Sequence, residues 1–279
     1  EKHGKLYHFV SLHDIIKQNQ TQKLWMQSGE RSMEKRYFTD YSYYVGRDMT
    51  WHVHGSAGRI VIALPSQGDR CWDYENNGMV AALAPWIERG EIMLVCADGA
   101  DDLICPQVGR DSRSGSLALE SYYNYILREL MPMARRLNPA APEKMLITGC
   151  SLGGGMAADV FFRKPELFSG VIALSGWYRA SLLLGDYTDD LTYQNSPAEF
   201  LLQLPAGDPR RALYAQSKIY LCCGQGSGEE ALLPQLDAMQ AALEQQNIPA
   251  VVDRWGWDVN HDWYWWQKQI VYFMEKALQ

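Results

Sequence analysis

The segment Gly149-Cys150-Ser151-Leu152-Gly153 holds the residue whose setting most directly suggests chemistry. A serine hydroxyl is a poor nucleophile at neutral pH. It needs an adjacent base and must stand clear of the backbone so that a carbonyl can reach it. A strained strand-to-helix turn achieves this, and small residues two before and two after the serine relieve the crowding. Gly149 and Gly153 occupy those positions. An apolar run, Lys144 to Thr148, precedes the turn, and a helical pattern, Leu152 to Arg163, follows it. In a strand–turn–helix nucleophile of this kind the base is a histidine further along the chain. Of six histidines, His3, His8, His13, His52 and His54 precede Ser151, and only His261 follows it.

A third group must orient the imidazole, and its expected place is the loop after a strand lying between serine and histidine. The run Lys218 to Cys223 ends at Gly224 and is followed by Glu229 and Glu230. Glu229 is the preferred acid, with Glu230 close behind. Asp258 shares the histidine's own loop, and Asp237 lies two turns further along the next helix. Acyl transfer also requires backbone N–H groups aimed at the developing oxyanion. Leu152, directly after the serine, is one donor. The other is expected from Pro65-Ser66-Gln67-Gly68, with Gln67 preferred to Ser66. Trp177, Tyr178, Trp263, Trp265 and Trp266 are candidates for lining a substrate pocket, with Trp177, Tyr178 and Trp263 preferred. His52-Val53-His54 on a strand places two imidazoles on one face, a pattern that can bind metal. No carboxylate or third histidine converges on them in the sequence, so no metal or other cofactor is expected.

Positioning these groups requires alternating strands and helices, and the chain supplies them from about residue 40 onward. Tyr41 to Tyr44 and Thr50 to His54, flanking Gly46-Arg47-Asp48, predict an antiparallel hairpin. Arg59 to Leu64, Ile92 to Ala97, Gly170 to Leu174 and Ala250 to Trp255 read as further strands. Helices are expected over Met79 to Glu88, Leu119 to Leu137 (kinked by Pro132), Glu229 to Gln246 and Asp262 to Leu278. The pattern breaks from Trp177 to Pro209, where a lid-like insertion over the top of the sheet is expected. The order implies α/β architecture with a mostly parallel sheet and helices on both faces, as one domain across 1–279.

With 279 residues, the chain can bury a large core. Its net charge of −7 and lack of a basic run argue against nucleic acid as a partner. No apolar run approaches the roughly 20 residues needed to span a bilayer. Glu1 to Asn19 lacks the pattern of a signal peptide. The six cysteines form no CxxC and fit neither a zinc site nor a disulfide framework, which suggests reduced thiols in a cytoplasmic protein. Homo-oligomerisation is left open.

Gly149-Cys150-Ser151-Leu152-Gly153-Gly154, Pro165-Glu166-Leu167-Phe168 and Ala173-Leu174-Ser175-Gly176 resemble the esterase family that includes esterase D, the feruloyl esterases and the mycolyltransferases. Glu129-Leu130-Met131-Pro132, Asn195-Ser196-Pro197 and His261-Asp262-Trp263 extend the likeness, which runs from about Tyr41 to the C-terminus. The resemblance implies the α/β-hydrolase fold, hydrolysis of a small-molecule carboxylic ester, and a triad acid just after the strand ending at Gly224. Glu229 and Glu230 both fit that place. The same triad would serve an acyltransferase with an alcohol replacing water, and a hydrolase-fold binding protein is the non-catalytic alternative. Two departures stand out: Pro65-Ser66-Gln67-Gly68 replaces the His-Gly of many relatives, and Gly228 stands where a tryptophan is expected. Cys150 is similar to the cysteine that tannase-like enzymes bond to one beside the histidine, but here Asn260 precedes His261.

Overall fold

The computed structural model describes residues 34–105 and 111–279. The chain divides at residues 32 and 33, and the unit of residues 33–279 carries the sheet. The expectations for Glu1 to Asn19, with His3, His8 and His13, lie outside the described residues.

Eight strands form one sheet: β1 (Lys35–Ser42), β2 (Arg47–His54), β3 (Arg59–Leu64), β4 (Ile92–Cys96), β5 (Met145–Cys150), β6 (Phe168–Leu174), β7 (Lys218–Cys223) and β8 (Val251–Arg254). Their order is β1-β2-β4-β3-β5-β6-β7-β8. The β1–β2 hairpin and the β2–β4 pair are antiparallel, and every other pair is parallel. Residues of β3, β4 and β5 are buried almost throughout, as strands covered on both faces must be.

The helices are α1 (Asp73–Asn76), α2 (Met79–Glu88), α3 (Asp101–Ile104), α4 (Ser112–Tyr125), α5 (Met131–Leu137), α6 (Leu152–Arg163), α7 (Ser181–Leu184), α8 (Asp190–Gln194), α9 (Pro197–Phe200), α10 (Arg210–Gln216), α11 (Leu233–Gln245) and α12 (Trp263–Ala277). Alternate strand residues feed two cores. Ile60, Ile62, Ile147 and Val171 pack beneath α4, α6 and α11. Val61, Leu94, Leu146 and Ile172 pack beneath α2 and α12. Among the described residues, no helix is long and apolar enough to cross a membrane.

Most elements fall where the sequence places them, with instructive exceptions. The hairpin is longer than expected, beginning at Lys35, with Tyr43 and Tyr44 in its turn. The helix expected from Leu119 starts at Ser112, capped by Asp111, and passes through a π-helical turn, Ile126–Leu130, just before Pro132. The wide turn absorbs the hydrogen bond that proline cannot donate. The helix expected from Glu229 begins at Leu233. Pro234 stands in its first turn, because deeper placement would drive the ring into a preceding carbonyl.

The segment 177–209 folds as short helices set into the core. Trp177, Tyr178, Leu184, Ala198, Phe200 and Leu201 are buried in the layer that holds α6 and α11.

Candidate active site

The chain leaves β3 toward β4 on one side of the sheet and returns to β5 on the other. The crevice at such a reversal is where open α/β sheets bind ligands, at the carboxyl ends of the strands. Each candidate group stands there: Gln67 after β3, Ser151 after β5, Glu229 after β7 and His261 after β8.

Ser151 has φ 56° and ψ −122°, a conformation that costs an L-residue strain and projects its side chain away from the turn. The glycines around it are required by contact. A Cβ on Gly149 would sit 2.2 Å from the carbonyl oxygen of Gly153, and one on Gly153 would sit 2.3 Å from that of Leu64.

Ser151 Oγ lies 2.9 Å from His261 Nε2, and His261 Nδ1 lies 3.2 Å from Glu229 Oε2. With the Nδ1 proton directed at the carboxylate, the Nε2 lone pair faces the serine hydroxyl. Glu229 is 0 % exposed. Ser175 Oγ donates to its Oε1 at 2.6 Å, and the Cys223 thiol donates to Oε2 at 3.2 Å. Burial pushes this carboxyl up, but the hydrogen bonds from His261 and Ser175 and the imidazole's charge outweigh it. The group therefore titrates below the ordinary glutamate range. A buried anion of this kind holds the ring in one tautomer and stabilises the imidazolium that forms when the serine gives up its proton.

Of the four acids the sequence offered, Glu229 alone reaches His261. Glu230 is exposed, Asp258 is exposed, and Asp237 pairs with Arg254. Gly228, at φ +86°, turns the chain so that Glu229 points inward. A Cβ there would fall 2.8 Å from that of His261. The site also holds groups that sequence reasoning missed. Ser175 sits at the end of β6 with φ 49° and accepts from Trp266 Nε1 at 3.0 Å. Trp266 in turn sets its ring edge-to-face with His261, centroids 4.7 Å apart. The positive φ of Ser175 has no signature in the sequence. Trp266 was legible as a pocket-lining candidate and as part of the buried face of its helix, but not as a hydrogen-bond donor.

The turn after β3 is fastened on both sides of Gln67. Ser66 N–H donates to Asp73 Oδ2 at 3.0 Å, and Gly68 N–H donates to Asp101 Oδ2 at 2.9 Å. The Gln67 N–H makes no hydrogen bond among the described residues. That arrangement removes Ser66 as a free donor. At the start of α6 the Leu152 N–H is likewise uncommitted, as first-turn amides are.

Ser151, His261 and the turn bearing Gln67 line a cleft of about 630 Å³ with Trp263, Trp266, Asp69, Asp101 and Asp262 on its walls. Trp177 and Tyr178 are not on it, contrary to the sequence expectation, being 1 % and 0 % exposed. The Trp177 indole lies against Gly155, where a Cβ would come within 2.2 Å of the ring, and its Nε1 donates to the Leu152 carbonyl at 3.2 Å. It braces the helix behind the serine. The Tyr178 backbone N–H is held by Gln235 Oε1 at 3.1 Å. The insertion as a whole lends no residue to the cleft wall.

All six cysteines are free and buried, and Cys150 Sγ lies 3.8 Å from the Tyr74 hydroxyl. A carboxylate absent from the sequence reading, Glu75, approaches His52 and His54 on the far side of β2.

Residues 105–275 match the family described as "Putative esterase". No curated protein matches the chain. Solved structures share its fold at low identity. A ferulic acid esterase is 16 % identical with a TM-score of 0.69, over 88 % of this chain and 97 % of that one. An S-formylglutathione hydrolase from Agrobacterium tumefaciens is 14 % identical with a TM-score of 0.69, over 91 % and 98 %. The fluorophosphonate-binding serine hydrolase F of Staphylococcus aureus is 16 % identical with a TM-score of 0.66, over 88 % and 99 %. With more than half its length matched, the chain belongs to the "Putative esterase" family and is a serine carboxylic-ester hydrolase of the α/β-hydrolase fold.

Proposed function

We propose that Ser151, His261 and Glu229 form the catalytic triad, and that the enzyme cleaves small neutral or aromatic esters through an acyl-enzyme. The observation that carries this reading is the unbroken hydrogen-bonded chain from Ser151 Oγ through His261 to the buried Glu229. His261 Nε2 takes the serine proton as Oγ attacks the ester carbonyl. The N–H groups of Leu152 and Gln67 receive the oxyanion. His261 then protonates the leaving alkoxide, and a water activated by the same imidazole releases the acid.

The cleft supports water as the acyl acceptor, because it is broad and no insertion segment closes it. Three of its wall side chains, Asp69, Asp101 and Asp262, are carboxylates, and among the described residues no lysine or arginine lines it. An anionic acyl group would therefore meet like charge. Trp263 and Trp266 supply apolar surface beside the nucleophile. The free cysteines favour a reducing compartment, in keeping with a cytoplasmic enzyme.

The test is hydrolysis of p-nitrophenyl acetate, p-nitrophenyl benzoate and the p-nitrophenyl monoester of succinate. The first two should turn over and the succinate ester should be poorer. Ser151→Ala should lose at least about 10³-fold in kcat, together with labelling by a fluorophosphonate. Undiminished turnover in that variant would refute the triad. An excess of transesterified product with added alcohols would move the enzyme to the acyltransferase class.

A further inference from the structure

On the face of β2 turned away from Met49, Trp51 and Val53, His52 and His54 stand side by side, since alternate strand residues share a face. His54 is 2 % exposed and its Nε2 has no hydrogen-bond partner among the described residues. His52 is nearly as buried, and its Nδ1 is likewise unpartnered. A buried polar atom left without a partner is costly and uncommon in folded proteins. Glu75, on α1, completes the group: one donor atom from each of the three side chains lies within 4.8 Å of the others.

We propose that His52, His54 and Glu75 bind a zinc ion, which ties β2 to α1. Nothing in the esterase mechanism uses these residues. Two imidazoles and one carboxylate are a donor set suited to zinc rather than to magnesium or calcium, which prefer all-oxygen shells. Tetrahedral coordination at zinc–ligand distances of about 2.0–2.1 Å puts donors about 3.4 Å apart. The three atoms therefore need to close by about 1 Å or somewhat more, a shift that side-chain torsions supply.

The protonation states suit the role. An imidazole is mostly neutral at neutral pH, so each histidine presents a lone pair. The Lys35 ammonium bonded to Glu75 accompanies an ionised carboxylate. Beside the three ligands stand Lys35, Cys96, which pairs with His52 across the β2–β4 ladder, and, more remotely, Asp98. Lys35 pairs with His54 across the β1–β2 ladder, and its ammonium is bonded to Glu75. It is the cation that the carboxylate holds at present. Its side chain is one-third exposed and can swing into solvent when zinc arrives. A solvent molecule would take the fourth position.

The site reaches the ester cleft only indirectly. Glu75 shares α1 with Asp73, and Asp73 holds the Ser66 amide of the turn that carries Gln67. Zinc would fasten that helix to the sheet.

The experiment uses the untagged full chain, stripped with EDTA and then dialysed against zinc or cobalt. One equivalent of zinc should remain by elemental analysis. Thermal midpoint should rise by about 5 °C at saturating zinc. The cobalt form should show the intense visible bands of four-coordinate Co(II). Glu75→Gln, at a half-exposed position that tolerates the change, and His54→Asn should each lose the retained ion and the bands. Lys35→Ala should bind about tenfold tighter, because a neighbouring positive charge has been removed. Zinc retained in the Glu75→Gln, His54→Asn double variant would assign the ion to other residues, such as His3, His8 and His13, and overturn the proposal. So would cobalt spectra of the six-coordinate aquo type, or unchanged affinity in Lys35→Ala.

Discussion

Replacing Ser175 by alanine probes the hydroxyl behind Glu229. In the folded protein Ser175 Oγ donates to Glu229 at 2.6 Å and accepts from Trp266 Nε1 at 3.0 Å, with all three residues buried. The substitution takes one of three donors from an ionised carboxylate and leaves an indole N–H unpaired. A hydrogen bond to a charged group contributes about 1.5–3 kcal/mol, and an orphaned buried donor costs about 1–3 kcal/mol. The two effects share one atom, so a loss of about 2–4 kcal/mol is expected. At about 2–4 °C per kcal/mol for a domain of this size, the melting midpoint falls by about 4–16 °C. If the lower value, about 1.5 kcal/mol, is carried into the transition state, kcat/KM falls about tenfold.

The pH dependence separates this cause from simple loss of packing. The folded-state pKa of Glu229 lies below its unfolded value, so its contribution is present above the ordinary glutamate value of about 4.3. That contribution is lost as pH falls through the folded value. Removing Ser175 raises the folded value. The stability gap between wild type and variant should therefore be widest at neutral pH and narrow below about pH 4. Calorimetry from pH 3 to 8, with p-nitrophenyl acetate kinetics at neutral pH, reads both. A gap independent of pH, or unchanged kcat/KM, would refute the role assigned to the hydroxyl.

Three further outcomes follow from the same geometry. Glu229→Gln should cost about 10³–10⁴-fold in kcat, as loss of a triad carboxylate does, whereas Glu230→Gln, at an exposed position, should stay within about twofold in the same ester assay. Gln67→Ala should change kcat/KM by less than about threefold, because the proposed oxyanion donor is the backbone N–H and not the side chain; a loss of 10²-fold or more, the magnitude of a deleted oxyanion donor, would show that the side chain takes part. Burial raises the Asp73 carboxyl above the ordinary range despite its bond from the Ser66 amide, so its ionised form costs stability, and that cost grows as pH rises through the raised value. Asp73→Asn should therefore melt higher than wild type at about pH 8 and lose that margin toward about pH 4, and a margin that does not move with pH would rule out the titration.

Local imprint decided what could be read from the sequence. Ser151, Leu152 and the paired glycines belong to one continuous strand–turn–helix unit, Met145 to Arg163, and His261 is the only histidine later in the sequence. The choice of acid was less legible because it depends on a loop. The apolar 4-3-4 spacing around Leu232 extends a helix back to Glu229, yet Pro234 forbids that start, and the freed turn at Gly228 sends Glu229 inward. The proline was in plain view and was the signal that could have settled the boundary. The aromatic pair Trp177 and Tyr178 misled because their segment has no periodicity from which burial can be judged. Their placement is set by Gly155 and Gln235, neither adjacent in sequence. Glu75 could not be foreseen beside His52 and His54, since it is carried there by a four-residue helix more than twenty residues on.

The two halves of the ester site are held by different devices. On one side His261 bonds Glu229, Glu229 accepts from Ser175, Ser175 accepts from Trp266, and the Trp266 ring meets the His261 ring edge-to-face. That circuit closes on itself, so each member is fixed by two others. Helix α12 anchors it at both ends of its first turn: Asp262, beside the histidine, caps the helix through the Trp265 amide, and Trp266 follows directly. On the other side the turn bearing Gln67 hangs from Asp73 and Asp101, which touch no member of the circuit. The halves meet at Ser151, whose strained backbone is set by a third element, the β5–α6 turn, and again where Asn77, bonded to Asp73, accepts from Gln267 of α12. Under the proposed roles, base positioning and oxyanion binding therefore rest on different sets of hydrogen bonds that share few members. The loop after β3 can depart from the His-Gly of its relatives without disturbing the histidine, because what the chemistry requires of it is one unpaired amide in place.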